Sequence, residues 1–181
     1  MENKDWFEKM QNLLHRRSIG DIKKQPVIDD YKEHVAYAMA SGWLKPKDVV
    51  LDVGCGEKRL MTALLEFGFD GEYNGIDPFP VDDTVSKICI EDGTLHRNFD
   101  TVMCFAVLDG VKDIEKTLSE LNRISERSII MLTGIGIKPD RCHTFEISLE
   151  LLDAGLPDFK RSDKSKFLHP KVALLCYQRW R

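Results

Sequence analysis

Gly54 and Gly56, the carboxylates of Asp52, Asp77, Asp92 and Asp109, and the pair His143 and Glu146 are the residues of this chain whose types and spacing can do chemistry. Two close glycines let the backbone turn sharply and let a ligand approach nearer than a Cβ allows, while the amides of a following helix point into the same space. A carboxylate at a strand end, such as Asp77, can accept hydrogen bonds from both ribose hydroxyls of a nucleoside. His143 can take a proton near neutral pH, and Glu146 can orient it. Each has a structural alternative: a loop cap for Asp77, ordering of the glycine turn for Asp52, a helix N-cap for Asp109 and loop hydrogen bonds for His143.

The elements that must position these residues can be read around segment 49–56, Val-Val-Leu-Asp-Val-Gly-Cys-Gly. An apolar, β-branched run ending in glycines is a buried strand handing over to a ligand-facing turn, and its lack of alternation suits a parallel sheet covered by helices on both faces. Leu60, Ala63, Leu64 and Phe67 follow at helical spacing, with Gly68 as the stop; Glu72 to Ile76 reads as a second strand, closed by Asp77-Pro78. Lys87 to Ile90 reads as a short third strand, Thr101 to Val107 as a fourth, Asp113 to Ser125 as a helix and Ser128 to Leu132 as a fifth strand. A helix from Ile147 to Ala154, an irregular strand from Phe159 to Lys166 and a strand from Val172 to Tyr177 complete the pattern, the last two pairing as a hairpin. Ahead of the first strand, Trp6, Met10, Leu13 and Leu14 share one face of a helix from Asp5 to Arg17, and a second helix runs from Asp29 or Asp30 to Gly42. Ligands of open parallel sheets bind outside the carboxyl ends of the strands. The glycine turn, Asp77, Asp92, Asp109 and the loop carrying His143 therefore fall on one rim.

At 181 residues the chain suits one domain, with a helical segment 1–46 packing on a core of 47–181. Apolar residues at 43% and charged residues at 31%, with no apolar run near the roughly 20 residues that cross a bilayer, exclude a membrane-spanning chain. The N-terminus lacks the basic-then-apolar build of a secretion signal, so the expected location is cytoplasmic. Five scattered cysteines without C-x-x-C spacing support neither a disulfide framework nor a zinc site. A net charge of -4 disfavours a whole-surface nucleic-acid binder. Two local basic patches remain, one of His15, Arg16, Arg17, Lys23 and Lys24, the other of Lys160, Arg161, Lys164, Lys166 and Lys171, and solvated loop charge is the bland account of both.

A dinucleotide site would need glycine at position 59, where this chain has Arg59. The pattern Asp52-x-Gly54-x-Gly56, followed by Gly75-Ile76-Asp77 and Phe99-Asp100-Thr101-Val102-Met103, instead resembles the class I methyltransferases that use S-adenosylmethionine. The resemblance runs from about Leu44 onward. It implies a Rossmann-like doubly wound α/β sheet of about seven strands, mostly parallel with an antiparallel last strand, and helices on both faces. It also implies cofactor contacts at Asp52, Gly54, Cys55, Gly56, Asp77, Pro78, Asp92, Gly93 and Cys104, with Ile76 and Pro78 flanking the adenine and Asp92 and Gly93 beside its exocyclic amine. The chain departs from the family at Lys58, where a third glycine is common, and at Gly110, where histidine is frequent. Asp109 accordingly joins His143 and Glu146 as a catalytic candidate. Methyl transfer is in-line displacement at an activated carbon, so the protein chiefly positions the acceptor and removes its proton. The absence of an Asn/Asp-Pro-Pro-Tyr motif disfavours methylation of a DNA base. With no inserted substrate domain, the acceptor pocket must come from the N-terminal helices, including His34 and Tyr37, the loop after strand four and segment 134–146. Such modest walls suit a small molecule or the end of a larger one, and the leading expectation is methyl transfer to an oxygen or nitrogen acceptor on a small molecule or glycan. The alternatives are an RNA or protein methyltransferase using the basic patches, a non-catalytic binding module and, last, a nicotinamide-dependent oxidoreductase.

Overall fold

In the computed structural model, residues 3–18, 31–80, 83–140 and 143–180 are described, with side chains from residue 5 to 12 in the first stretch. The helices are α1 (Asn3–Ser18), α2 (Tyr31–Ala40), α3 (Arg59–Glu66), α4 (Ile114–Ile124) and α5 (Leu149–Gly155). The strands are β1 (Val49–Val53), β2 (Glu72–Ile76), β3 (Phe99–Phe105), β4 (Ser125–Gly134), β5 (Phe159–Arg161), β6 (Lys166–His169) and β7 (Val172–Arg179). They form one sheet in the order β2-β1-β3-β4-β7, with β5 and β6 both lying along the far edge of β7. Pairing is parallel from β2 through β4 and antiparallel wherever β7 takes part, so β7 alone runs against the other six strands. The resemblance implies this arrangement of one late strand inserted the opposite way.

Alternate residues of the unbroken apolar strands feed two cores, as a sheet covered on both faces requires. Leu51, Val102, Cys104, Ile129, Met131, Leu175 and Tyr177 pack under Leu118, Leu121 and Ile124 of α4 and Leu152 of α5. Val50, Met103, Phe105, Ile130, Leu132 and Leu174 pack under Val35 and Ala38 of α2 and Leu60, Ala63 and Leu64 of α3. Helix α4 begins where Asp113 accepts the amide of Lys116 (3.1 Å), so the capping role open to Asp109 falls to Asp113.

Two expected strands come out differently. Lys87 to Ile90 does not join the sheet: Ser86 donates to the carbonyl of Gly75 and accepts from Asp77, giving one isolated bridge with Ile76. The amide of Ile88 then turns back on the carbonyl of Ser86, and a 3-10 turn at Ile90–Asp92 buries Ile90 in the α4 side of the core. Core burial and turn formation have overridden a weak β-preference. In place of one strand from Phe159 to Lys166 the chain forms β5, ending at Arg161, and β6, beginning at Lys166; between them the hydroxyl of Ser165 takes the amide of Cys176 (3.0 Å), which a continuous ladder would have paired with backbone.

Succession in the chain and adjacency in the sheet part company at β1. After β2 on one side, the chain crosses over to β3 on the other, and the crevice above this reversal is where an α/β sheet takes its ligand. At the opposite rim, buried Asp48 accepts from the Lys45 amide, the Thr101 hydroxyl and the Arg127 guanidinium, so its charge serves the fold.

Candidate active site at the carboxyl ends of the strands

The glycine turn folds back over the end of β2: the amides of Gly54 and Cys55 both donate to the carbonyl of Ile76, at 2.8 and 3.1 Å. Gly54 has φ +69°, and a Cβ there would stand 2.5 Å from Val107 Cγ2, so position 54 has room for glycine alone. Gly56 also has a positive φ, +48°, but a Cβ there would meet nothing within 4 Å; this part of the turn opens on free space. Asp77 joins the two motifs. One of its carboxylate oxygens accepts the Gly56 amide (3.0 Å) and the other the Phe79 amide (2.7 Å). A carboxylate oxygen takes two donors, so each retains a place for another.

On the other side of the reversal, Ala106 bends β3 away at φ +56°, a conformation that side chains rarely hold without constraint, and brings Val107 onto Gly54. Two residues on, in the 3-10 turn Leu108–Gly110, Asp109 Oδ2 lies 3.4 Å from His143 Nε2. The Asp109 carbonyl accepts the amides of Thr144 (2.6 Å) and Phe145 (3.3 Å), fastening the loop after β4 to the loop after β3. The other ring nitrogen of His143, Nδ1, lies 2.8 Å from Asp140 Oδ1, which also accepts the His143 amide at 2.8 Å. Glu146 is exposed, and the carboxylates at the His143 ring are those of Asp109 and Asp140.

Helix α1 lies across this rim. Trp6 Nε1 donates to the carbonyl of Gly110 (2.9 Å), and Lys9 Nζ to the His143 carbonyl (3.3 Å) and the Thr144 hydroxyl (3.4 Å). Trp6 and Met10 are buried against Cys89, with Phe7 and Phe79 packed around them.

A model of the methyltransferase domain matches residues 27–134, more than half of the chain. The chain belongs to the methyltransferase domain family. Among solved structures, a Burkholderia thailandensis 1,6-didemethyltoxoflavin-N1-methyltransferase, crystallised with 1,6-didemethyltoxoflavin and S-adenosylhomocysteine, has a TM-score of 0.72 at 14% identity, covering 99% of this chain and 91% of its own. Magnesium protoporphyrin IX methyltransferase from Synechocystis PCC 6803, with S-adenosylmethionine bound, gives 0.68 at 20% identity over 97% and 94%. The N-methyltransferase NodS from Bradyrhizobium japonicum, with S-adenosylhomocysteine, gives 0.60 at 12% identity over 87% and 89%. No curated protein sequence matches the chain. S-Adenosylmethionine is the cofactor of this family of enzymes.

In this methyltransferase the residue beneath the glycine turn, Asp52, is only 2% exposed and accepts one hydrogen bond, from Tyr73 Oη at 2.7 Å. Burial pushes its carboxyl up to about 7, the Tyr73 bond opposes the shift, and the charge of Asp77 adds to it. Burial, followed by the charges of Asp52 and Asp77, pushes the Cys55 thiol up to about 12, so it is no nucleophile at neutral pH. Cys104 is wholly buried in the core under α4, its thiol also raised by burial. Pro78 is half-buried beside Asp77. Asp92 pairs with Lys112 Nζ (3.4 Å), and Gly93 closes the 3-10 turn at φ +65°. Burial and the charges of Asp92 and Glu91 raise the Cys89 thiol to about 11, with Lys112 opposing and Asp77 a smaller cause.

Lys58 stands at φ +56°, a conformation natural to the glycine common at this position in the family, and its Nζ donates to the Thr84 hydroxyl. Of the two N-terminal candidates, His34 is buried 6.3 Å from the Phe105 ring, while Tyr37 packs on Trp43 and donates to the Lys164 carbonyl. Trp6, Lys9, Tyr73 and Asp140 also border this candidate site, and residue spacing alone does not point to them. Trp6 and Met10 do share a helical face, but an amphipathic face does not say what it covers.

Proposed function

We propose that this methyltransferase transfers a methyl group from S-adenosylmethionine to an oxygen or nitrogen of a small molecule or glycan. The observation that carries the reading is the Asp109–His143 pair, held on the same rim as the glycine turn by the Val107–Gly54 packing. Two further features fit the cofactor: the open space at Gly56, and a buried carboxyl at Asp52 suited to the ligand's ammonium group, directly or through water. The Gly54 to Gly56 turn takes the methionine part, Asp77 the ribose hydroxyls and Pro78 the adenine, while Asp92 and Gly93 stand by its amine. When bound, the cofactor supplies the methyl group as an activated sulfonium substituent. The protein's part is to exclude water under α1, orient the acceptor and remove its proton. Asp140 orients the His143 ring through Nδ1, and the acceptor's proton passes to the Asp109–His143 pair, whose Oδ2 and Nε2 stand 3.4 Å apart. The named substrates of two relatives, 1,6-didemethyltoxoflavin and magnesium protoporphyrin IX, support a small-molecule acceptor.

S-Adenosylmethionine and S-adenosylhomocysteine, each at ~100 times its dissociation constant, should stabilise the fold by about 2.7 kcal/mol, and NAD should not. Equal stabilisation by NAD, or none by the two sulfur ligands, would sink the reading. With a labelled methyl donor and an acceptor in hand, His143→Ala should turn over on the order of a hundredfold more slowly, with cofactor affinity unchanged. Full turnover in that variant would remove the histidine from the mechanism.

A further inference from the structure

Charge is distributed unevenly along this chain. Residues 159–181 hold seven Lys and Arg against one Asp, a net +6, while the preceding 158 residues sum to -10. Arg161 and Arg179 are neutralised by Asp153 and Asp158, at 3.4 and 3.2 Å. Lys164 instead donates to the Ser41 carbonyl (3.2 Å), and Lys166 stands 3.6 Å above the Tyr37 ring, so neither has a carboxylate partner among the described residues. Lys160 is exposed on the same edge.

The strand register turns these lysines into a row. Lys160 pairs with Gln178 and Lys166 with Leu174, four residues apart on β7 and hence about 14 Å. Lys164 falls between them, because its neighbour Ser165 bonds the Cys176 amide. On the other side of the β6 pleat, Phe167 is 50% exposed. Lysines do protect an edge strand from pairing with other chains. That explanation leaves out Phe167, since an exposed aromatic on an edge invites association, and it leaves out the gathering of positive charge in an acidic chain.

We propose that the β5–β6 edge is a docking surface for single-stranded nucleic acid, with Lys160, Lys164 and Lys166 following the phosphates and Phe167 stacking on a base. A row of cations along an edge that also exposes an aromatic, here across the pleat from Lys166, is the pairing of features that holds single strands without reading sequence. The edge also leads to the active rim: the Lys171 carbonyl, just past β6, accepts the Ile135 amide in the loop that continues to His143. The surface does not depend on the acceptor chemistry of the site.

Fluorescence anisotropy with labelled 12-nucleotide oligouridylate and oligothymidylate tests this, with a glutamate peptide of equal charge as competitor. Binding of either oligonucleotide should weaken with salt at a log-log slope of about -2, as three phosphate contacts on a single strand require. The combined Lys160→Glu, Lys164→Glu and Lys166→Glu variant should lose binding, and Phe167→Ala should weaken it about tenfold. Stabilisation by S-adenosylmethionine, unchanged in these variants, would show the fold intact; if the charge-reversed chain does not melt cooperatively, the Lys→Gln triple carries the comparison. No binding at low salt, undiminished affinity in either variant, or equal competition by the glutamate peptide would overturn the proposal.

Discussion

Asp77→Ala should lower the affinity for S-adenosylmethionine by about a thousandfold. A carboxylate gripping two hydroxyls makes two charge-assisted hydrogen bonds, each of roughly 1.5 to 3 kcal/mol, and a loss on the order of 4 kcal/mol is a factor of about a thousand in dissociation constant. The same substitution strips a partner from the Gly56 and Phe79 amides, which costs stability in the free protein. Calorimetric titration reads the first effect and thermal unfolding the second. Asp77→Asn helps to separate them, because its amide oxygen still accepts one of these bonds but no longer as an ion. The carboxylate would be a clamp for the glycine turn and nothing more if affinity held while the melting temperature fell.

Asp52 makes the second large effect, in the pH dependence of stability. Its carboxyl, ordinarily at 3.8, is pushed up to about 7 in the folded chain. Between those values the folded state holds a proton that the unfolded state has released, so this group's contribution falls as pH rises through the window. The full change is on the order of 4 kcal/mol, from the size of that shift. Below the window both states are protonated and the contribution vanishes as a difference. Above pH 7 the penalty of a buried, ionised carboxylate is complete. Asp52→Asn should therefore unfold at a higher temperature than the parent at pH 8, with little difference near pH 4. Melting curves of the two proteins across that range would reject the argument if their difference did not change. An ammonium group placed beside Asp52 should reverse the penalty, so cofactor affinity should rise with pH through the same window in the parent and not in the variant.

The parts of this fold legible in the sequence were those governed by short-range pattern. The run from Val49 to Val53, the glycines behind it, β2 ending at Asp77, and α4 with Ile114, Leu118 and Leu121 facing inward all follow from periodicity and punctuation. Lys87 to Ile90 had the composition of a strand, but the chain there turns back on Ser86 and drives Ile90 into the core. The site shows the same division. Asp109 and His143 could be assigned to one rim from the order of strands and loops, and the structure brings them within 3.4 Å. Which carboxylate meets Nδ1 could not be read in that way, because Asp140 and Glu146 stand three residues from His143 on opposite sides. The turn decides it: Asp140 already caps the His143 amide, so its side chain is at hand for the ring. Tyr73 and Trp6 carry no local signal of a place at the site, because their polar ends act across the fold, on Asp52 and on Gly110. The basic patch of residues 15–24 lies outside the described side chains, as do Leu13, Leu14 and Cys142.

The reversed strand has a consequence for synthesis. β7 is the last of the seven to leave the ribosome, yet it sits inside the sheet with β4 on one flank and β5 and β6 on the other. Until residues 172–179 emerge, the nascent chain carries the bare edge of β4, and the two short strands made just before have nothing to pair with. Between the emergence of β4 and that of β7 the nascent chain therefore holds a partly built sheet with an open side, which is the surface that chaperones recognise and that neighbouring nascent chains can join.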